Sequence, residues 1–303
     1  MCPKSEKPLL KQIMFVMAAW YYKGYYSFGN NVIIHRDFLM ASEAKLSPEQ
    51  HQKLSRIVYK ETGIVLDGEK YNLLVARLAK RMRITAISSV SEYINLMSKD
   101  SDEFNKFIDA TTTNHTFFFR ENKHCEYMIE TLEKKKPLKI WSAASSSGEE
   151  AYSIAVQLLA KAFSFSIYAS DVSDSMLDLG RRAIYSADRV KEVPLSILHT
   201  YFQKGEDRWK DHVKVKPEVK RLVTFAKYNL LSEAPTDTFD IIFCRNVMIY
   251  FDTQTRQKVV DRLCMALKPE GYFFVGLSES LNGLEHPLTT ILPSGYQKKG
   301  HSN

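Results

Sequence analysis

The chain after residue 45 opens with polar and apolar positions at helical spacing. Ser47, Pro48 and Gln50 match a helix start, because Ser caps the first turn, Pro suits the first helical position and Gln bonds back to the cap. Gly63 marks the expected end of this helix. Its apolar face is expected to carry Leu54, Ile57 and Val58.

Three further helices are predicted before residue 112, at about 69–83, 91–98 and 101–111. The apolar face of the first of these carries Tyr71, Leu74, Leu78 and Met82. A second face of the same helix carries the basic residues Arg77, Lys80 and Arg81. Residues 45–111 are therefore expected to form a small all-helical domain.

The pattern changes after Pro137, where short apolar runs alternate with helical periods. Strands are predicted at 138–144, 166–170, 221–228, 239–244 and 271–277. Helices are expected after the first strand and at 253–268. This alternation predicts a doubly wound α/β sheet over residues 138–300, joined to the helical domain by a linker at 112–137. Residues 185–220 alternate polar and apolar positions and predict a small inserted β-subdomain.

Residues 1–44 show neither a clear period nor capping signals, and we expect an extension of unknown role. The run from Ile13 to Trp20 is short and apolar, but Tyr21 and Tyr22 follow it instead of a small-residue cleavage site, so secretion is not expected. We hypothesise that residues 1–40 are an appendage produced by an upstream translation start. A natural product that begins at Met1 and needs residues 1–39 to fold would contradict this.

Composition narrows the class of protein. The 303 residues include 45% hydrophobic and 25% charged residues, as in an ordinary globular protein. The net charge of +7 favours an acidic partner, whether nucleic acid, membrane surface or acidic protein, although mild basicity without a partner is equally compatible with it. Four widely spaced cysteines predict neither a zinc site nor a disulfide framework, and no metal is expected. No apolar run is long enough to predict a transmembrane helix.

The first candidate for ligand chemistry is the turn between the strand near Ile140 and the helix near Tyr152. Its small residues allow a ligand to approach the backbone, but neither a dinucleotide-binding glycine motif nor a P-loop is present. Glu149 and Glu150 would repel a phosphate and would suit a cationic ligand such as S-adenosylmethionine, which has an ammonium and a sulfonium. The alternative is that both acids only complement the helix dipole.

Two further constellations each allow a ligand-binding and a purely structural interpretation. Asp171 closes the second strand, where an acid accepts hydrogen bonds from ribose hydroxyls; the alternative is that it caps the next helix, and both roles are compatible. The segment from Thr112 to Arg120 lies at the predicted domain junction, where polar groups suit a cleft. Alternatively, Phe117 to Phe119 form interdomain core and Arg120 makes a surface ion pair.

The fourth constellation follows the fourth strand. Arg245 and Asn246 end a buried strand, where polar side chains need partners. Methyltransferases that act on the amino groups of DNA bases usually have an Asn/Asp-Pro-Pro-Tyr/Phe turn at this place. This chain lacks that turn, which disfavours a nucleic acid substrate despite the basic charge.

Together these motifs resemble the CheR family, the chemotaxis receptor protein-glutamate O-methyltransferases, over about residues 45–300. The matching stretches are TTNHTFFFR (112–120), IWSAASSSGEEAYSIA (140–155), YASD (168–171), YNLL (228–231), FDIIFCRNVMIYFD (239–252) and GYFFVGLSESL (271–281). The resemblance implies a Rossmann-like, S-adenosylmethionine-dependent methyltransferase domain with an inserted β-subdomain, preceded by a small all-helical domain.

The resemblance also implies site residues and partners. The cofactor would contact Asn114, Thr116, Arg120, Glu149, Asp171, Asn229, Leu230, Arg245 and Asn246. Arg120 and Tyr250 are the candidate catalytic residues, since they could orient a substrate carboxylate. Arg77, Lys80 and Arg81 are the candidate docking face for acidic methylation helices of the receptors, although a solvated helix face is the alternative.

The expected protein is a cytoplasmic monomer, recruited to membrane receptor arrays without entering the membrane. Some relatives hold a receptor's C-terminal pentapeptide on the β-subdomain, but residues 185–220 are too divergent to assign that role. Two other functions stay open: a non-catalytic sensor that binds the cofactor and regulates a partner, and a nucleic acid methyltransferase.

Overall fold

A computed structural model describes residues 46–66, 70–134, 136–233 and 235–300 of the chain. The predicted extension at 1–44 lies outside these residues. All of the described residues belong to one compact unit, which contains both the helical part and the sheet part.

Four helices form the first part of this unit. They are α1 (Pro48–Thr62), α2 (Tyr71–Ile84), α3 (Val90–Met97) and α4 (Ser101–Thr111). The predicted cap of α1 is present as a reciprocal capping box. The Gln50 backbone N–H donates to the Ser47 hydroxyl, and the Ser47 N–H donates to the Gln50 side chain. Gly63 ends α1 with a φ of 75°, which a glycine adopts without strain.

A seven-stranded sheet dominates the rest of the chain. Its strands are β1 (Leu138–Ala143), β2 (Phe165–Asp171), β6 (Val223–Lys227), β7 (Phe239–Cys244), β8 (Leu267–Phe274), β9 (Leu288–Leu292) and β10 (Gly295–Lys298). The order is β6-β2-β1-β7-β8-β10-β9, with the first five strands parallel and β10 antiparallel to both of its neighbours. The packed helices are α5 (Lys123–Thr131), α6 (Glu149–Ala160), α7 (Asp174–Arg182) and α10 (Thr253–Ala266).

The register of the central strands positions the site. β1 and β7 are buried along nearly their whole length, as expected for strands covered on both faces. Ala143 at the end of β1 pairs with Ser170 of β2 and with Cys244 of β7. The three carboxyl ends therefore lie level, and the turns that follow them meet at one edge of the sheet.

A small antiparallel sheet is inserted between α7 and β6. It contains β3 (Ile184–Ser186), β4 (Phe202–Lys204) and β5 (His212–Val215) in the order β3-β5-β4, with short helices α8 (Leu195–Tyr201) and α9 (Pro217–Lys220) beside it. This agrees with the predicted β-subdomain, and the predicted fold class is confirmed. The sequence did not predict the edge hairpin β9–β10, and β8 begins at Leu267, where a helix was expected to continue.

No helix among the described residues is long and apolar enough to span a bilayer.

Candidate active site

A cleft of about 1140 Å³, including its open mouth, lies at the carboxyl ends of β1, β2 and β7. Nine of the ten residues predicted for catalysis or cofactor contact line this cleft. They are Asn114, Thr116, Arg120, Asp171, Asn229, Leu230, Arg245, Asn246 and Tyr250. The four sequence constellations thus converge on one site.

The turn after β1 has an unusual backbone. Ala144 and Ser146 have φ angles of 60° and 49°, and Gly148 has a φ of 91°. A non-glycine residue in this left-handed region costs about 1–2 kcal/mol, so the turn persists only where surrounding contacts hold it. A Cβ atom at Gly148 would lie 2.7 Å from the Phe225 ring, which explains why this position has no side chain.

Asp171 fixes the same turn from the end of β2. Its carboxylate accepts hydrogen bonds from the backbone N–H groups of Ser146 at 2.8 Å and Ser173 at 2.9 Å. The side chain that caps α7 is Ser173, not Asp171, so the capping interpretation of Asp171 is wrong. Burial raises the pKa of Asp171, although the N–H donors oppose that rise. The group is a buried hydrogen-bond acceptor at the wall of the cleft.

The two acids at the start of α6 have separate environments. Glu149 is fully buried and does not line the cleft; it is paired with Arg189 and accepts a hydrogen bond from the Ser147 hydroxyl at 2.7 Å. Glu150 lines the cleft and accepts hydrogen bonds from the Ser142 hydroxyl at 2.7 Å and from Arg245 at 3.1 Å. Glu150, not Glu149, is therefore the acid at the cleft, and cofactor contact by either residue stays a prediction.

Arg245 is the centre of a network of charges inside the cleft. Its side chain is 6% exposed and makes ion pairs with Glu121 at 2.9 Å and Glu150 at 3.1 Å. It also donates to the backbone carbonyl of Arg120 at 2.7 Å. Burial acts to raise the pKa of Glu121, but the Leu277 N–H, the Asn246 side chain and Arg245 outweigh it and lower that pKa. Glu121 is therefore a carboxylate at neutral pH.

The turn after β7 is organised by a second buried acid. Glu279, 7% exposed, accepts hydrogen bonds from the backbone N–H groups of Asn246 at 2.7 Å, Gly276 at 2.6 Å and Ile249 at 3.2 Å. Asn246 has a φ of 58°, and its side chain donates to Glu121 at 3.1 Å. The turn that leads to Tyr250 is thus held by Glu279, which does not itself line the cleft.

The segment 112–120 forms another wall. Phe118 is fully buried and packs edge-on against Tyr185 and Phe202 of the β-subdomain, so the core interpretation is right for this ring. Phe117 is 36% exposed, and its ring centroid lies 5.7 Å from the Arg120 guanidinium. Arg120 also donates to the His115 carbonyl at 2.8 Å. Neither of these two contacts of Arg120 is with a carboxylate, so neither is the surface ion pair of the alternative interpretation.

The helical part closes the cleft from one side. Thr62 and Ile64, at the end of α1, line it. The Val65 N–H donates to the carbonyl of Tyr250 at 3.1 Å, and the Tyr59 hydroxyl donates to Asp252 at 2.9 Å. The cleft is therefore built from both parts of the chain.

The predicted docking face contains two residues with interior partners. Arg77 donates to the carbonyls of Ala110 and Thr112 at the end of α4. Arg81 makes an ion pair with Glu103 at 2.5 Å, with side-chain exposures of 13% and 5%. Lys80 is exposed. Solvent faces Lys80, while the two arginines stabilise the helical part.

Several cleft residues were not predicted from the sequence. The main ones are Thr62, Ile64 and Glu121. The helical spacing of Glu150, Ile154 and Gln157 along one face of α6 is a usable signal, because all three line the cleft. Glu121 directly follows the Arg120 motif, but no local pattern predicts its contact with Arg245.

The polar groups of the cleft fit S-adenosylmethionine. Ser145 Oγ, Ser146 Oγ and Arg245 Nε are buried at the cleft without a hydrogen-bond partner in the protein, and a polar ligand would supply one. Asp171 suits ribose hydroxyls, and Glu121 and Glu150 provide negative charge for an ammonium group. Within the described ranges, no cluster of His, Cys, Asp and Glu side chains could hold a metal ion.

Comparison with known proteins agrees with this geometry. Residues 49–112 match the family model "CheR methyltransferase, all-alpha domain", and residues 114–294 match "CheR methyltransferase, SAM binding domain". "Chemotaxis protein methyltransferase 2" of Pseudomonas aeruginosa is 36% identical over 253 residues, which cover 80% of this chain and 90% of that protein. "Chemotaxis protein methyltransferase" of Escherichia coli K12 is 36% identical over 259 residues, covering 82% and 91%. The chain therefore belongs to the CheR methyltransferase family and is an S-adenosylmethionine-dependent enzyme.

Proposed function

We propose that this enzyme transfers the methyl group of S-adenosylmethionine to glutamate side chains of methyl-accepting chemotaxis receptors and forms methyl esters. The observation that carries the proposal is that Arg120 and Tyr250, two donors suited to a carboxylate, line the same cleft as Asp171. The names of the chemotaxis methyltransferases from Pseudomonas aeruginosa and Escherichia coli support the same process.

The chemistry makes few demands on the protein. S-adenosylmethionine supplies an electrophilic methyl group, a carboxylate oxygen forms the new C–O bond, and the C–S electron pair returns to sulfur. A glutamate side chain has a reference pKa of about 4.3, so it is ionised at neutral pH and needs no general base. The protein must align the carboxylate with the methyl group, and alignment alone is worth roughly 7–11 kcal/mol.

Arg120 is the proposed clamp for the substrate carboxylate. Its contacts with the His115 carbonyl and the Phe117 ring orient the guanidinium at the cleft wall before a substrate arrives. A planar guanidinium pairs with a carboxylate through two parallel hydrogen bonds, which fix the direction of both oxygens. This role requires that Arg120 contribute more to turnover than to cofactor affinity.

Tyr250 is the proposed second donor, through its hydroxyl. Its backbone carbonyl accepts the hydrogen bond from Val65, and the Lys70 ammonium lies 5.7 Å from the ring centroid. These contacts join the Tyr250 backbone to the segment after α1 and its ring to the residue before α2. A hydroxyl donor so held would stabilise one carboxylate oxygen while the other attacks.

The receptor would bind the enzyme through electrostatic attraction to the surface of α2 as well as through contacts in the cleft. Receptor methylation helices are acidic, and the exposed Lys80 would attract them, whereas Arg77 and Arg81 would act mainly by holding α2 in place. We expect a monomer. A receptor tether peptide on the β-subdomain stays open, as does recruitment to receptor arrays at the membrane.

The two competing functions make different demands. A sensor without catalysis would need the cofactor residues, Arg120 among them, but would not need the Tyr250 hydroxyl in the same cleft. A nucleic acid methyltransferase would need a basic surface around the mouth, whereas the cleft contains Glu121 and Glu150. Both features favour the receptor methylation proposal.

The direct test uses S-adenosylmethionine with a labelled methyl group and membranes that contain chemoreceptors. We expect label on the receptor that mild base releases as methanol, because methyl esters hydrolyse readily and N-methyl groups do not. Tight binding of S-adenosylhomocysteine without any labelling would favour the sensor. Label that appears on added nucleic acid instead would favour the third function.

A further inference from the structure

The β-subdomain holds the strained turn Ala144–Gly148 from outside the cleft. The Tyr185 hydroxyl of β3 donates to the Ser147 carbonyl at 2.7 Å. Arg189, in the short turn after β3, donates to the Ser147 hydroxyl oxygen at 2.9 Å and makes an ion pair with Glu149. Both contacts act on the residue next to Ser146, whose backbone N–H meets Asp171.

Among the described residues, Arg189 is the only basic side chain that makes an ion pair with Glu149. Burial raises the pKa of Glu149, and the Arg189 guanidinium and the Ser147 hydroxyl oppose that rise. The Tyr185 phenol interacts electrostatically with both members of this pair and with the Tyr152 phenol, and burial raises the pKa of both phenols. The charge of the fully buried Glu149 is thus balanced by Arg189, whose side chain is 38% exposed.

The same contacts reach a second wall of the cleft. Phe118 packs edge-on against Tyr185 with ring centroids 5.0 Å apart. The Ser153 hydroxyl donates to the Glu149 carbonyl at 2.7 Å and accepts a hydrogen bond from the Phe119 N–H at 2.9 Å. The start of α6 and the segment that contains Arg120 are therefore fixed to one another through Ser153, whose hydroxyl also bonds to Glu149.

We propose that Arg189 is a positioning residue for the methyl donor: it holds Ser147 and Glu149 so that the turn 144–148 keeps its strained, ligand-ready shape. Arg189 is absent from the cleft lining and makes no contact with the donor site. Its effect on affinity passes through the turn. Without it, Glu149 loses its counter-charge and the left-handed residues Ala144 and Ser146 lose an anchor.

The experiment measures affinity for S-adenosylhomocysteine by calorimetry in the full-length protein. Arg189→Gln should raise Kd by on the order of tenfold, the effect of one lost charge-assisted hydrogen bond. Arg189→Lys keeps the charge opposite Glu149 and should recover most of the affinity. The double variant Arg189→Gln with Glu149→Gln should bind better than Arg189→Gln alone, because it removes the unpaired buried charge.

Lys191→Gln is the matched control. Lys191 is two residues away, makes an exposed ion pair with Asp188 at 2.7 Å, and should leave Kd unchanged. Kd within twofold of the parent for Arg189→Gln, or equal weakening by Lys191→Gln, would overturn the proposal. If Arg189→Gln does not fold, Tyr185→Phe decides, because it removes the other hydrogen bond from the β-subdomain to Ser147. Weaker binding by Tyr185→Phe supports the proposal, and an unchanged Kd overturns it.

Discussion

The side-chain amide of Asn229 donates a hydrogen bond of 2.7 Å to the backbone carbonyl of Glu61, in the last turn of α1. Asn229 also lines the cleft and accepts a hydrogen bond from the Leu231 N–H at 2.9 Å. One side chain therefore joins the helical part to the cofactor cleft. This relationship makes the helical part a structural wall of the active site, as the cleft residues Thr62 and Ile64 also indicate.

Replacing Asn229 should affect both stability and cofactor affinity. Asn229→Ala removes two hydrogen bonds, and we expect a loss of about 1–2 kcal/mol in the free energy of unfolding. Affinity for S-adenosylhomocysteine should fall as well, since the end of α1 loses its anchor. Asn229→Asp is the matched control: it keeps the acceptor for Leu231 but cannot donate to Glu61. Equal affinity for the parent and both variants would contradict this account of the cleft.

Arg120→Ala should impair turnover far more than cofactor binding. We expect kcat for receptor methylation to fall by about 10²–10³, the range for removing one preorganised donor, while Kd for S-adenosylhomocysteine changes less than about tenfold. Steady-state kinetics and calorimetry measure the two quantities separately. Arg120→Lys keeps the charge without the planar pair of donors and should stay well below the parent. Unchanged kcat with only weaker binding would refute the clamp.

The Arg81–Glu103 pair predicts a pH dependence of stability. Burial acts to raise the pKa of Glu103, but Arg81 and the Tyr93 hydroxyl outweigh it and lower that pKa from its ordinary 4.5. The carboxylate therefore stabilises the fold fully above that pH, and its contribution is lost as pH falls through the lowered value.

Glu103→Gln should cost about 3 kcal/mol at neutral pH, because it leaves Arg81 without its partner. The difference from the parent should shrink as pH falls below 4.5. Urea denaturation at several pH values measures this, with the exposed Glu130→Gln as the control. A difference that does not change with pH would show that the ion pair does not stabilise α2 against α4.

Charge reversal at Lys80 tests receptor docking. Lys80→Glu should slow receptor methylation several-fold at low salt and less at high salt, because exposed charges are screened over about 10 Å at 0.1 M ionic strength. Kd for S-adenosylhomocysteine should not change. Lys161→Glu, an exposed lysine beyond α6, is the control. If both reversals have the same effect, net charge is responsible and the α2 surface is not a docking face.

The sequence predicted the features that depend on local chemistry. The cap of α1 at Ser47 and the strand from Phe239 to Cys244 follow from neighbouring residues, and the structure has both. It could not distinguish Glu149 from Glu150, because adjacent helix positions point about 100° apart and only the packing of α6 decides which faces the cleft. The partners of Arg77 and Arg81 lie on α4, and helical periodicity does not encode that contact. The domain boundaries and the docking face stay predictions.

The most direct test of the central claim is mass spectrometry of receptor peptides after incubation with the enzyme and S-adenosylmethionine. The account predicts a mass increase of one methylene on glutamate residues of the receptor, which mild base removes and which is strongly reduced with Arg120→Ala. Receptor peptides that remain unmodified although the enzyme binds the donor, or a base-stable methyl group on another residue type, would contradict it.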